Sequence, residues 1–250
     1  MSNIQRSLPL TYLHATAVPL LRAPGYWVPV VLFPSLLFSF FGVPPSQTNP
    51  QIANILMASW SAFAVIGIGF FQFGVSIAQS RQEKWTDFVR TLPAGAGPKI
   101  VAQMGTAVLF LIMAVGLLWT LANFSTAVDL SLVQYARLAG ALIVGVVPFV
   151  MLGIALGYAL PARAAVPVAN LMYLPLSYLG GLWMPPSMLP DIVQTLSPYV
   201  PTRQLGELVW AAVLDNPIPW SSVQGLGLYT LLFMAVAVIM WQRDDATRNR

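Results

Sequence analysis

The sequence predicts an all-α membrane protein: six transmembrane helices, an amphipathic interfacial helix before them, and two short re-entrant helices before the last span. Three observations predict it. Of 250 residues, 57% are hydrophobic and only 8% charged, too few charges to give a body of this size a charged aqueous surface. Successive charges are separated by uncharged runs at 23–80, 100–128, 138–162, 164–190 and 216–242, each long enough for a helix to cross a hydrocarbon core of ~30 Å. Finally, the basic residues segregate. With both termini in the cytoplasm, Arg6, Arg22, Arg81, Lys84, Arg90, Lys99, Arg163, Arg243, Arg248 and Arg250 lie inside, and only Arg137 and Arg203 outside, the bias expected of cytoplasmic loops.

The same composition excludes whole classes of function. No cysteine is present, so disulfides, thiolate metal sites and cysteine nucleophiles are out. One histidine, His14, is too little for a metal centre, and no metal is expected. The net charge of +4 comes without a basic cluster interleaved with aromatics, so no nucleic-acid partner is expected. No Asp, Glu, Lys or Arg falls in the middle of a span, which argues against an ion-coupled carrier and against an intramembrane hydrolase.

The chain reads as a single domain over 1–250. Residues 1–24 form the interfacial helix, in which Leu10, Leu13, Ala17, Leu20 and Leu21 share an apolar face with Arg6 and Arg22 near its ends; an apolar patch interrupted by Pro9 makes a poor signal peptide. The first long run is broken by Pro44, Pro45, Ser46, Gln47, Thr48, Asn49 and Pro50, a turn-forming stretch. The spans are therefore placed at 27–43, 52–78, 100–122, 135–160, 167–184 and 223–241, with both termini cytoplasmic. In the fourth, Gly145, Gly153 and Gly157 permit close helix approach.

Two spans carry a mixed lining suited to an amphipathic cargo: Phe63 and Gln72 among the aromatics of the second, and Asn170, Tyr173 and Ser177 on the fifth. The competing reading of these residues is packing and interhelical hydrogen bonding.

Between the second and third spans, the loop 80–99 holds the only dense charge cluster. Trp85, Phe88, Val89 and Leu92 follow helical spacing, leaving Glu83, Lys84, Asp87 and Arg90 on the other face until Pro93 stops the turn. Such a helix suits either docking of another protein or rest on lipid headgroups. The stretch Ala94 to Ile100 is no phosphate loop, because Pro98 removes a donor and Ile100 stands where Ser or Thr is needed. The outer segment 185–215 is too apolar for a loop. Met188, Ile192, Val193 and Leu196 give one short apolar face. Leu205, Leu208, Val209, Ala212 and Val213 give another, with Thr202 as its expected N-cap and Arg203 paired to Glu207.

Taken together, the interfacial N-terminus, six spans, charged loop and proline-punctuated run Gly180, Gly181, Leu182, Trp183, Met184, Pro185, Pro186, Leu189, Pro190, Pro198, Tyr199 and Pro201 resemble the ABC-2 type integral membrane permeases. Asp87 followed six residues later by Pro93 matches that family's loop, although Lys84 and Trp85 replace its frequent Gly and Thr. The resemblance implies the membrane subunit of an ATP-binding-cassette exporter in the plasma membrane, the inner membrane in a bacterium, with no cofactor of its own. A coupling helix carrying Glu83, Trp85, Asp87, Phe88 and Arg90 would seat on a separate ATPase subunit, present in two copies, which binds ATP and Mg. Two permease chains, expected to be a homodimer in contact with membrane lipids, would pass cargo near the first, second and fifth spans. Drug-like molecules or lipids are the expected cargo, with lipid-linked sugar or polysaccharide as the other option. An ATP-independent scaffold or facilitator is the alternative class.

Overall fold

The computed structural model describes residues 14, 17–22, 24–82 and 97–248, and every regular element among them is helical. Helix α1 (Pro24–Leu37) runs on as a π-helical turn, Phe38–Gly42. The proline-rich stretch predicted as a turn contains a 3₁₀ turn, Pro44–Ser46, and then an N-cap: the Asn49 side chain accepts from the N–H of Gln51 at 2.9 Å, with Pro50 opening α2 (Pro50–Ser80). Both choices suit a helix start, where N–H groups lack intrahelical partners.

After α2 come α3 (Gly97–Ser125) and α4 (Leu132–Ala159). Ser131 and Gln134 cap α4 reciprocally, and the helix passes through a turn at Val146, just before Pro148. Then follow α5 (Ala162–Leu179), α6 (Asp191–Leu196), α7 (Pro201–Val213) and α8 (Trp220–Arg248).

Among the described residues four helices, α2, α3, α4 and α8, are long and apolar enough to cross a membrane, and α1 contributes a shorter apolar stretch, Val30–Gly42. Helix α5, expected as the fifth span, is not among the four; it carries Arg163, Asn170 and two internal prolines, Pro167 and Pro175.

Helix α2 is the hub. Its apolar window is 83% buried, against 11% for α8, and α1, α3, α4, α5 and α7 all pack on it. Within α2 the segment Gly69–Val75 is π-helical and meets the second half of α4 nearly backbone to backbone. A Cβ on Gly69 would stand 2.7 Å from the Phe149 carbonyl carbon, and one on Gly153 would collide with the Gly69 carbonyl oxygen. This is the close approach that Gly153 and Gly157 predict.

Indole N–H groups stitch the hub to its neighbours. Trp210 on α7 donates to Ser59 Oγ at 2.7 Å and Trp119 on α3 to Ser61 Oγ at 2.9 Å, while both serines donate to carbonyls of their own helix. Every such pair satisfies two buried polar groups where no water competes.

One expectation changes here. Thr202 does not cap α7, because the N-cap position is Val200; instead its hydroxyl donates to the Leu176 carbonyl of α5 at 2.5 Å. The apolar face of α7 also turns inward, with Leu205, Leu208 and Val209 buried against α2 and the first half of α4. The Arg203–Glu207 pair forms as expected, at 2.5 Å.

Of the N-terminal helix, 17–21 are helical, with Ala17 buried and Leu20 packed against a cluster that includes Val31 and Phe110. Arg6, Leu10 and Leu13 lie outside the described residues.

Candidate functional site

Three helices leave a cleft of about 460 Å³ between them. Helix α1 lines it with Val30, Phe33 and Pro34, α5 with Val166, Asn170 and Tyr173, and α2 with Gly67, Phe71, Val75 and Gln79. On α2 these residues recur every fourth position, and the wider π turn keeps such a row aligned where an α-helix lets it drift. The lining is apolar apart from the amides of Asn170 and Gln79 and the edge of Tyr173. It therefore offers a few fixed hydrogen-bonding groups on a greasy wall, the usual make-up of a site for an amphipathic molecule.

Of the five sequence-predicted lining residues, the cleft holds two. The Asn170 amide donates to the Val166 carbonyl one turn back at 3.1 Å, leaving its oxygen available. Tyr173 is buried, donates to the Phe63 carbonyl at 2.9 Å, and stacks on the Phe63 ring with centroids 4.5 Å apart. Phe63 is thus the floor beneath Tyr173, fully buried within the cluster Trp60, Phe63, Tyr173 and Trp183.

The remaining two point elsewhere. Gln72 is buried, and its main-chain carbonyl accepts from Gln103 of α3 at 3.3 Å. Ser177 is buried, donates to the Leu174 carbonyl at 2.8 Å and accepts from the Trp183 indole at 2.9 Å. Gly67, Val30 and Phe33 were not among the predicted residues; the α1 spacing of three and four is the signal that could have marked Val30, Phe33 and Pro34.

A second feature gathers three helix ends. Arg81, at the end of α2, forms an ion pair with Asp244 of α8 and donates from Nη1 to the Gly157 and Tyr158 carbonyls at 2.7 and 2.9 Å. Those carbonyls belong to the last turn of α4, where no intrahelical donor is left and a cation also complements the helix dipole. Arg81 lies 5.5 Å from the Tyr158 ring centroid as well. Only charge and position mark Arg81 in the sequence; its partner Asp244 lies 163 residues away. The predicted coupling residues Glu83, Trp85, Asp87, Phe88 and Arg90 follow directly but lie outside the described residues.

Comparison with known proteins fits this architecture. No solved structure matches the chain. A protein of Bacillus subtilis (strain 168) named as a transport permease, YvfS, is 25% identical over 194 residues, which is 78% of this chain and 79% of the relative. The model of the ABC-2 type transporter family matches residues 11–214. With most of its length matched, the chain belongs to the ABC-2 type transporter family, as a multi-pass membrane permease subunit.

Proposed function

We propose that the protein is the membrane half of an ATP-driven exporter that moves an apolar or amphipathic molecule, drug-like or lipid, out of the cytoplasm or the inner leaflet. Six helices cross the bilayer in this reading, α1 with its π turn, α2, α3, α4, α5 and α8, with both termini cytoplasmic and α6 and α7 as the outer re-entrant pair. Supporting the six-span topology, α7 packs on the first halves of α2 and α4, which six crossings place on the same face as the segment before the last span; the basic-residue bias makes that face the outer one. The Arg81 cluster then sits at the cytoplasmic end.

The observation that carries the reading is the α1/α2/α5 cleft, an apolar passage with a few polar groups and no charge. Its flanks on α1 and α5 expose Leu36, Phe40, Phe41 and Leu171 at 52%, 72%, 55% and 74%, apolar surface that a second permease chain would cover. The loop after Gln82 seats on a separate ATPase, whose bound ATP and Mg supply the energy. Closure of two ATPase chains shifts the permease pair between inward- and outward-open states. This chain adds binding and motion, and the hydrolytic chemistry resides in the partner.

The test is a gentle-detergent pulldown of the tagged chain, comparing wild type with Asp87→Arg. An ATPase retained by wild type and lost by the variant is the expected result. An intact, folded chain that never retains an ATPase overturns the exporter reading.

A further inference from the structure

A second cleft, sharing no residue with the first, opens between α4, α7 and the start of α8, with a volume of about 620 Å³. Its floor is made of small and apolar side chains, Gly140, Ala141, Val144, Leu208, Ala211 and Ala212. Its rim is different. Arg137 Nη1 meets Asp215 Oδ1 at 2.6 Å, and both side chains stay open to their surroundings, 51% and 58% exposed.

Asp215 holds an unusual backbone position, φ +54°. It follows the last turn of α7, where the Asn216 N–H reaches back to the Ala211 carbonyl at 3.0 Å, a helix ending that normally takes glycine at the left-handed position. After glycine, Asp and Asn are the residues that take this conformation most readily, and here Asp215 sets its carboxylate against the Arg137 guanidinium. Pro217 and Pro219 bring no N–H to the lip, so its polar side chains are Arg137, Asp215, Asn216 and the indole of Trp220. Trp220, 67% exposed, closes the far side, a residue suited to the boundary between headgroups and acyl chains.

We infer that this cleft is a binding site for a zwitterionic phospholipid, phosphatidylethanolamine, whose primary ammonium, unlike a quaternary one, brings N–H donors to the Asp215 carboxylate. An acyl chain lies on the Gly140–Ala141–Ala211–Ala212 floor, the phosphate sits on Arg137 and the ammonium on Asp215. Charge complementarity selects this occupant. A guanidinium and a carboxylate side by side match a headgroup carrying one charge of each sign, and an anionic headgroup leaves Asp215 facing like charge. The volume lies within the roughly 300–1,000 Å³ range of small-molecule sites. One used donor on Arg137 leaves the rest of its fork for phosphate oxygens. The placement in the outer leaflet rests on the orientation proposed above.

The experiment is native mass spectrometry of the full chain released from detergent, with added palmitoyl-oleoyl phosphatidylethanolamine, the matching phosphatidylglycerol, or the matching diacylglycerol. Wild type is expected to retain one phosphatidylethanolamine per chain in preference to the other two. Gly140→Phe is the blocking variant, because Gly140 lines the cleft and a Cβ there meets no atom within 4 Å. It is expected to abolish retention. Arg137→Gln is expected to weaken phosphatidylethanolamine retention about tenfold, the loss of one charge-assisted contact, while diacylglycerol stays unchanged.

Equal retention of all three probes by wild type, or unaltered retention in a folded Gly140→Phe, overturns the proposal; should that variant unfold, unaltered retention in Arg137→Gln does so. Labelling of Ser131→Cys with a membrane-impermeant maleimide, on intact cells and on inverted membrane vesicles, reads the orientation separately. Labelling only from the cytoplasm would overturn the outer-leaflet placement, and the retention data would still judge the cleft.

Discussion

Asn170, Tyr173 and Ser177 lie at spacings of three and four on α5, one stripe by helical arithmetic, yet they do three different things. Asn170 faces the cleft, Tyr173 forms its wall while resting on Phe63, and Ser177 accepts the Trp183 indole behind it. The stripe was legible from periodicity, but which part of it faces open space depends on α1 and α2, and no spacing within α5 encodes those neighbours. Since the chain has no cysteine, single cysteines read the difference. Asn170→Cys is expected to react with a maleimide in mild detergent, whereas Gln72→Cys and Ser177→Cys, buried to 1% and 0% exposure, resist until unfolding. Phe63→Ala removes the floor of Tyr173. It is expected to lower stability by about 3–5 kcal/mol, measured by denaturant titration in micelles, whereas Asn170→Leu, whose side chain bonds only within its own helix, changes it by less than about 0.5 kcal/mol.

At the scale of elements, the glycines of α4 announced a close crossing, and their partner is the π segment Gly69–Val75 of α2. That partner was not legible, because one extra residue in a helical turn leaves no trace in a pattern of apolar residues that is apolar on every side. The same uniformity explains α7. Its apolar face was legible from spacing, and only the packed structure shows that α2 and α4 take that face. Two substitutions of equal size separate crossing glycines from idle ones. Gly153→Ala drives a methyl into the Gly69 carbonyl, backbone that cannot rotate away, and is expected to destabilise by about 1–3 kcal/mol. Gly140→Ala meets open space and is expected to stabilise by about 0.4–1 kcal/mol through the unfolded chain, both read from unfolding midpoints.

For the whole molecule, the question is how the proposed push on the loop after Gln82 would reach the other helices. Arg81 is the last anchored side chain before the loop, and it ties the end of α2 to the last turn of α4 and to Asp244 near the end of α8. Through it, displacement of the loop root would be delivered to three helices at once, two of which, α4 and α8, also pack extensively on each other. With side-chain exposures of 18% and 8%, the ion pair is largely sheltered, so losing either side chain costs more than it would in an exposed pair. Arg81→Ala is expected to cost about 3 kcal/mol, since it also uncaps α4, and Asp244→Asn about 1 kcal/mol, because Arg81 keeps its carbonyl acceptors. If the tie carries motion as well as stability, Arg81→Ala keeps the ATPase in a pulldown while cargo transport per ATP hydrolysed falls. A purely structural tie would lower ATPase retention and total transport in proportion to the folded fraction while leaving transport per ATP unchanged, and a double-mutant cycle with Asp244→Asn measured on transport per ATP separates the two outcomes.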